Sequence, residues 1–516
     1  MPSMAAHRSI FLTLNRPILL RSLFIPSNGT NSPRLLSFFT SATDIVHNPK
    51  DNIERRILRL NSPNTTATAV LQNWIDEGHN FMISDLRRIT SKLIKFQRYK
   101  HALELFNWMD AEKSLWMSPA DCNTRLDLIV KVHGISKAEE FFTELPNSTL
   151  KKSACFPLLH AYAKQRNTEK AEALMLRLNE LGLAVYPYLF NEMMKLYMAT
   201  CQFDKVFLVI LQMKQNKIPL TVLSYNLWMR SYGMSSGVNS AEMVYKEMLR
   251  DKNVQVGWST LVTLANIYAQ AGLVQNAIIT LRAAEEKLST RNRIGYLFLI
   301  TCYASLNNKD GVLRLWEASK AVDSRITCAN YMCILQCLVK LGDLGEAEKI
   351  FMEWENECLN YDMRVSNVLL GAYASNGFMD KAESLHLHTL EKGGSPNYKT
   401  WEILMEGWLK CQNMEKAINA MKNGFPMLKH CRWRPLNHTI ITIAAYFEKQ
   451  GEVEDAYKYL KLLHHAGLAS LAVYKSLLRM YHCAQRPALD ILEMMERDKL
   501  ELDDEASALV QTLRSE

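Results

Sequence analysis

The stretch Cys328–Asp362, CANYMCILQCLVKLGDLGEAEKIFMEWENECLNYD, decides the fold. Tyr331, Ile334, Leu335 and Leu338 recur at i, i+3, i+4 and i+7, which puts them on one side of an α-helix. Gly342 stands where that helix must stop, because glycine enters the left-handed region at a helix C-terminus without a steric penalty. Ala347, Ile350, Phe351 and Trp354 then form a second stripe, which ends before the polar stretch around Asn360. The segment reads as a helical hairpin with an apolar stripe on each arm.

Slid along the chain, this template starts again near Ile83, Pro119, Lys152, Pro187, Val222, Trp258, Arg293, Cys328, Met363, Tyr398, Asn437 and Leu471. The period is 35 residues, with the longest insertion around Lys429 to Arg434. The eleventh residue is aromatic in nine of twelve repeats, Tyr162, Tyr197, Tyr303 and Tyr373 among them, and the twentieth is Ala in nine of twelve. A small Ala lets the second helix approach the first, and a ring opposite it fills the space between neighbouring hairpins. These residues are read as packing, without a functional role. One hairpin cannot bury its own stripes, so the repeats must stack into a shared core. The expected fold is all-α, a right-handed α-solenoid superhelix of about twelve helix-turn-helix repeats of about 35 residues, with its concave face as the extended site.

Composition agrees with this reading. Of 516 residues, 48% are apolar and 22% charged, which excludes a wholly disordered or collagen-like chain. Only 20 Gly and 15 Pro argue against a turn-rich β architecture. No run approaches about 18 uninterrupted apolar residues, so no membrane insertion is expected. The formal charge is +8, but Arg8, Arg16, Arg21 and Arg34 contribute +4 of it within the first 43 residues. The body is left near +4 (8 − 4), a weak argument for a polyanionic partner. The 11 cysteines form no CxxC pair. Cys328, Cys333 and Cys337 lie along one helix face with no matching cluster to close a zinc site. They are read as reduced core thiols of an intracellular protein, with no metal and no cofactor.

Residues 1–43 are rich in Arg, Ser and Leu and hold no acid before Asp44, the pattern of a cleavable organellar transit peptide. Arg and Leu outweigh Ser and Thr in the first 25 residues, which favours the mitochondrion, with the chloroplast as the alternative. The expected organisation is then a disordered transit segment at 1–43, a partly helical lead-in at 44–82, the repeat array at 83–505 and a tail at 506–516.

An aromatic at position 11 and Ala at position 20 also suit the tetratricopeptide repeat, so those positions do not discriminate. Position 8 does, because a small residue is wanted there and this chain has Leu126, Leu159, Met194, Met229, Ile300, Leu335, Leu370, Met405 and Leu478. Met109, Met213 and Met248 likewise stand at position 27, where Ala would be expected. The segments Ser224–Met248, SYNLWMRSYGMSSGVNSAEMVYKEM, and Val365–Asn397, VSNVLLGAYASNGFMDKAESLHLHTLEKGGSPN, resemble the pentatricopeptide repeat family, in its repeat-only plant organellar class.

The resemblance implies a protein that binds single-stranded organellar RNA, each repeat facing one base. In that family the fifth residue of a repeat bonds the base edge and the last residue tunes the choice. The corresponding residues here are Asn123, Asn191 with Thr221, Asn226 with Gly257, and Asn367 with Asn397, the last pair implying a pyrimidine. An amide suits the role because it both donates and accepts. Replacing Asn191, Asn226 and Asn367 by Ala is expected to leave the fold intact. The other eight fifth positions, Arg87, Phe156, Val262, Leu297, Met332, Glu402, Ile441 and Lys475, carry no legible code, and the apolar ones cannot read a base edge. Lys475 and Arg87 are read as solvated charges or phosphate contacts.

The HxE and PCxxC motifs of the family's deaminase-like extension are absent, as are GxxxxGK[ST], GxGxxG and HExxH. His386 and His388 point different ways on a helix, and His464 and His465 suit a helix end. The expectation is therefore no catalytic residue and no enzyme: an adaptor in RNA stability, processing, splicing or translation, with RNA-processing or ribosomal proteins as further partners. The alternative, favoured by the eight illegible repeats and the low body charge, is a protein-binding scaffold in a mitochondrial assembly or ribosome complex.

Overall fold

A computed structural model describes residues 52–60, 65–111, 118–289, 291, 293–323, 325–430 and 434–515. The expected transit segment, 1–43, lies outside them. All regular elements among the described residues are helices, and no helix among them is long and apolar enough to cross a membrane. The chain divides into two compact units, Met1–Leu115 and Trp116–Glu516.

In the N-terminal unit, helices Ile53–Leu58 and Ala67–Asp76 fall in the expected lead-in and precede the hairpin of Ile83–Lys95 and Tyr99–Ala111. Ile57, Leu71, Leu86, Ile89, Leu93 and Phe106 bury its core. The guanidinium of Arg98 ties the hairpin turn to the first of these helices by donating to the carbonyls of Leu58 and Leu60, at 2.9 and 3.0 Å.

The C-terminal unit is an α-helical repeat solenoid of eleven hairpins. The first six pair Pro119–Val132 with Ile135–Glu144, Ser148–Gln165 with Thr168–Glu180, Pro187–Ala199 with Phe203–Gln215, Val222–Ser235 with Val238–Arg250, Trp258–Gln270 with Val274–Glu285, and Ile294–Ser305 with Lys309–Lys320. The rest pair Cys328–Lys340 with Leu344–Glu357, Met363–Ser375 with Met379–Glu391, Tyr398–Lys410 with Met414–Gly424, Asn437–Gln450 with Val453–Ala466, and Leu471–Cys483 with Leu489–Arg497. From Pro119 to Lys410 each first helix packs on the first helix of the next hairpin, and second helices also touch the first helix that follows. First helices thus form one layer and second helices the other.

The residues of the quoted hairpin behave as their spacing requires. Both stripes are buried, from Tyr331 to Leu338 and from Ala347 to Trp354. Gly342 adopts φ +75° at the turn between them. Asp343 then caps the second helix, its side chain accepting from the Glu346 amide at 3.0 Å. The position-20 alanines Ala138, Ala171, Ala241, Ala277, Ala347, Ala382 and Ala417 have no exposed surface, so a larger side chain there would push two helices apart.

Three features depart from strict periodicity. The repeat expected at Lys152 begins at Ser148, because Asn147 accepts from Leu150 N and starts the helix one turn early. After Gly424 a short 3-10 helix, Phe425–His430, takes up the long insertion, and it contacts both Tyr398–Lys410 and Val453–Ala466. Phe425 is buried there, its ring stacked 6.3 Å from that of Tyr459. Finally, residues 504–515, reached by the expected tail, form a helix that packs on Leu471–Cys483 through buried Ala506 and Val510. This helix covers the stripe that the last hairpin would otherwise expose.

A polar latch recurs between hairpins. The Tyr162 hydroxyl donates to Glu139 at 2.6 Å, and the Lys170 ammonium reaches the same oxygen at 2.7 Å. Tyr197 and Lys205 bind Glu172 at 2.8 and 2.7 Å, and Tyr373 and Lys381 bind Glu348 at 2.6 and 3.1 Å. In every case the Tyr and Lys belong to one hairpin and the Glu to the second helix of the hairpin before it. The ammonium also lies 5.8, 5.4 and 5.5 Å from the respective ring centroid, within cation–π range. Trp408 keeps the cation but not the hydroxyl: Lys416 binds Glu383 at 2.6 Å and sits 4.4 Å from the indole.

The latch carboxylates titrate below their usual range. Glu139 is held down first by Lys170 and then by Tyr162, Glu172 first by Lys205, then, against the opposing effect of burial, by Tyr197, and Glu348 first by Tyr373. A carboxyl whose folded pKa is depressed adds stability that is complete above its unfolded pKa, near 4.5, and is lost as pH falls through the folded value. All three are about a third exposed, so each latch contributes modestly, about 0.5–1 kcal/mol. The triple substitution Glu139→Gln, Glu172→Gln and Glu348→Gln is expected to lower the urea midpoint at pH 7, and to flatten the loss of stability seen in the parent protein below pH 4.5. Equal pH dependence of both proteins would disprove the assignment.

Arg293, counted as the first residue of its repeat, is buried and performs a different task. Its guanidinium donates to the carbonyls of Ser319 at 2.9 Å, Val322 at 3.0 Å and Arg325 at 3.0 Å, gathering the C-terminal end of Lys309–Lys320 and the loop after it. Arg293→Met would leave those carbonyls short of donors and is expected to cost about 2–4 kcal/mol, read as a lower denaturation midpoint.

Candidate functional site

The long surface of the first-helix layer is set by helical geometry. Positions 3, 4, 7, 8 and 11 are buried between layers, so positions 2, 9 and 13 point outward. In Pro187–Ala199 these are Tyr188, Lys195 and Ala199, all exposed. In Met363–Ser375 they are Arg364, Gly371 and Ser375, of which Gly371 is half-buried. Position 5 lies at the edge of this stripe, facing the start of the next first helix.

That location explains the Asn191–Thr221 and Asn367–Asn397 pairs. Asn191 is 5% exposed and donates from Nδ2 to Thr221 Oγ1 at 3.2 Å, while its Oδ1 accepts from Ser224 Oγ at 2.7 Å. Thr221 is the N-cap of Val222–Ser235, its hydroxyl accepting from Ser224 N at 3.2 Å. Asn367, 9% exposed, repeats the pattern: Nδ2 donates to Asn397 Oδ1 at 3.2 Å and Oδ1 accepts from Thr400 Oγ1 at 3.0 Å. Asn397 caps Tyr398–Lys410. Each pair is therefore brought together, but one donor and one acceptor of each buried amide hold the cap of the following hairpin.

Asn226 and Asn123 differ. Gly257 caps the helix after Asn226 without a side chain, and Asn226 Oδ1 is buried with no hydrogen-bond partner. Asn123 stands half-buried on Pro119–Val132. Among the remaining fifth positions, Val262 is buried and only packs. Glu402 is 1% exposed and ion-paired with Lys399. Ile441 is exposed and Phe156 half-buried. Lys475 is neutralised by Asp503 and Glu505, at 2.9 and 2.6 Å, and so is not a solvated charge. Arg87 is exposed in the N-terminal unit.

The sequence reading overlooked a row of cations at position 13. Lys164, Lys340, Lys410 and Lys449 are exposed in the last turn of their first helices, and none forms an ion pair among the described residues. The negative end of the helix dipole favours a cation there. Lys131 occupies the same position but is paired with Asp127 at 2.5 Å. Acids on the stripe are few and mostly compensated. Glu192 is buried against His160 and Lys195, at 2.7 and 3.1 Å. Glu406 has its pKa raised, first by burial and then by the neighbouring Glu402.

Other chemistry-bearing groups are internal or already engaged. Burial pushes the Cys302 thiol up to about 12. Cys337 donates to Cys333 and is itself pushed up, first by that bond and then by burial. No group of three or more His, Cys, Asp or Glu that could hold a metal is assembled among the described residues. His386 is buried against the Trp401 ring, 5.0 Å away, and burial lowers its pKa. His388 binds Glu355 at 3.1 Å. His465 meets the Lys461 carbonyl at 2.6 Å, while His464 pairs with Asp498 at 2.9 Å.

Comparison with known proteins fits this geometry. The PPR repeat model matches residues 158–183, 223–253, 330–359 and 365–393. A pentatricopeptide repeat-containing protein of Arabidopsis thaliana is 53% identical over 471 residues, covering 90% of this chain and 96% of that protein. The chain belongs to the pentatricopeptide repeat family. Two further Arabidopsis members, both described as mitochondrial, share 33% identity over 461 residues and 30% over 458. They cover 89% and 88% of this chain, and 86% and 91% of their own. Among solved structures, that of the pentatricopeptide repeat protein PPR10 in complex with an 18-nt psaJ RNA element aligns over 90% of this chain and 89% of that one, at 14% identity and a TM-score of 0.37.

In this pentatricopeptide protein the capping role of the asparagines has a measurable consequence. Asn191→Ala and Asn367→Ala each take one acceptor from a buried hydroxyl at a helix start and one donor from its N-cap, and are expected to cost about 1–2 kcal/mol. Asn226→Ala is expected to cost under about 0.5 kcal/mol, since no protein bond is lost. Urea denaturation of the three single variants checks this ordering, and equal losses would contradict the capping role.

Proposed function

We propose that the protein binds single-stranded RNA along the exposed stripe of its first helices and acts without catalysis in organellar RNA metabolism. The observation that carries this reading is the row of unpaired ammonium groups, Lys164, Lys340, Lys410 and Lys449, each one helix end in a stack of parallel first helices. Lys410 and Lys449 stand on successive first helices, with Lys340 two repeats before Lys410 and Lys164 five repeats before Lys340, and a flexible polyanion can follow that track. Base choice then falls to the amides with free capacity, Asn226 and Asn123, and to the remaining donors and acceptors of Asn191 and Asn367 with their partners Thr221 and Asn397. The Arg-rich, acid-free 1–43 segment and the mitochondrial relatives support import into the mitochondrion.

A second reading, a protein-binding scaffold, is favoured by a separate feature. Leu176, Leu211, Met352 and Leu387 share position 25 and stand exposed on second helices, away from the lysine row. Exposed apolar side chains in register suit a protein partner.

A salt titration of RNA affinity separates the two. The parent protein is expected to show a steep linear fall of log affinity with log salt, at about 0.7 per phosphate contacted. The quadruple variant Lys164→Gln, Lys340→Gln, Lys410→Gln and Lys449→Gln is expected to reduce that slope by about 2–3. A slope near zero in the parent protein would remove the RNA reading and leave the scaffold.

A further inference from the structure

One patch on the first-helix stripe is unlike the rest. Tyr186 and Tyr188 flank Pro187 at the start of Pro187–Ala199, 41% and 39% exposed, and are the exposed tyrosines among the described residues. Their rings stack, with centroids 5.2 Å apart and planes 14° from parallel. Phe156 stands edge-on to Tyr188 at 5.3 Å and 89°, and His160 continues the row, stacked on Phe156 at 5.9 Å. Lys152 Nζ lies 4.8 Å from the Tyr186 centroid. Lys152, Phe156 and His160 are four residues apart on one helix, so they form a ladder on one side of Ser148–Gln165.

The latch tyrosines spend their hydroxyls on glutamates. Tyr186 and Tyr188 make no hydrogen bond among the described residues, and their rings are left partly in water. Large exposed rings held in place by one another are costly to leave wet and useful where a flat partner must be received. The charges around them are suited to an anionic chain: Lys152 is a half-buried and Lys195 an exposed cation, and the acid between them, Glu192, is buried and already shared by His160 and Lys195.

We infer that Tyr186, Tyr188 and Phe156 form a stacking platform for one unpaired nucleobase, with Lys152 leaving the Tyr186 ring to meet a flanking phosphate. The inference rests on the RNA reading above and deepens it. The repeat whose fifth residue is Phe156 cannot read a base edge, but it holds a base by its face. Stacking is available to every base, so this repeat contributes affinity with little sequence choice. A weak cation–π contact in water is readily exchanged for a base, and the four-carbon arm of Lys152 gives the ammonium reach.

The test uses the full chain and a fluorescently labelled single-stranded RNA carrying several 4-thiouridines, with a crosslinking arm and an affinity arm. In the parent protein, photo-crosslinks should map to the peptide containing Tyr186 and Tyr188. The double variant Tyr186→Ala, Tyr188→Ala should bind roughly tenfold to a hundredfold more weakly at an unchanged salt slope. Tyr186→Phe, Tyr188→Phe should restore affinity, since it keeps the rings and loses only the hydroxyls. Thermal melts followed by circular dichroism should match across all three proteins, because both side chains are surface-exposed. RNA bound by the parent with no crosslink at this peptide and equal affinity in the Ala pair would overturn the platform while sparing the RNA reading. Loss of a co-purifying protein from the Ala pair at undiminished RNA affinity would assign the patch to a protein instead. Absence of RNA binding by the parent at any salt would remove both.

Discussion

A helical hairpin with an apolar stripe on each arm has more surface to bury than its own two helices can cover, and this shortage governs the rest of the structure. Each hairpin from Pro119 onward must find a neighbour, and the buried position-20 alanines set how closely the second helix can sit. Burial of Leu, Ile, Phe and Trp side chains, each at about 1.5–3 kcal/mol, supplies the drive. The same shortage accounts for the helix Asp504–Ser515, which buries Ala506 and Val510 at the end of the array and brings Glu505 to Lys475 and Arg479.

Apolar contact holds the hairpins together but is tolerant of sliding, and the Tyr–Glu–Lys latches supply direction. A hydroxyl and an ammonium from one hairpin converge on one carboxylate of the hairpin before it, which fixes rotation and rise at once. Where the latch lacks one member, it is reduced or redirected. Asn276 replaces the lysine opposite Glu242, leaving the Tyr268 bond at 2.8 Å. Tyr303 turns to Glu285, which Arg314 also binds.

The fold was legible because its cause is periodic. Apolar stripes at 3.6-residue spacing, an Ala at position 20 and glycines such as Gly342 recur often enough to be read from one chain. The latches were hidden because Glu139, Glu172 and Glu348 look like ordinary solvated acids, and the lysines opposite them like ordinary surface bases. Nothing local marks a pair 31 or 33 residues apart as a contact. The capping role of Asn191 and Asn367 was equally hidden, since Thr221 and Asn397 were recognised as partners in recognition but not as the N-caps they also are. Tyr186 escaped notice for a simpler reason: it lies just before the repeat boundary at Pro187.

These double roles reshape how the stripe can recognise a ligand. An amide that must hold the next helix start can offer a ligand only what the cap leaves over, one N–H and one lone pair in the case of Asn191 or Asn367. Drawing more would unpin the hairpin, so discrimination at those repeats is bounded by the stability of the stack itself. Asn226 is under no such bond, because Gly257 caps by backbone alone. A repeat with a glycine cap therefore gains a freer reader and gives up a side-chain brace. Repeats with no polar fifth residue follow the opposite course: Val262 serves the core, and Phe156 joins a ring cluster with Tyr188 and His160. On the proposed RNA reading, affinity and selectivity are thus drawn from different hairpins of one stack, with the position-13 lysines supplying the contacts that do not depend on sequence.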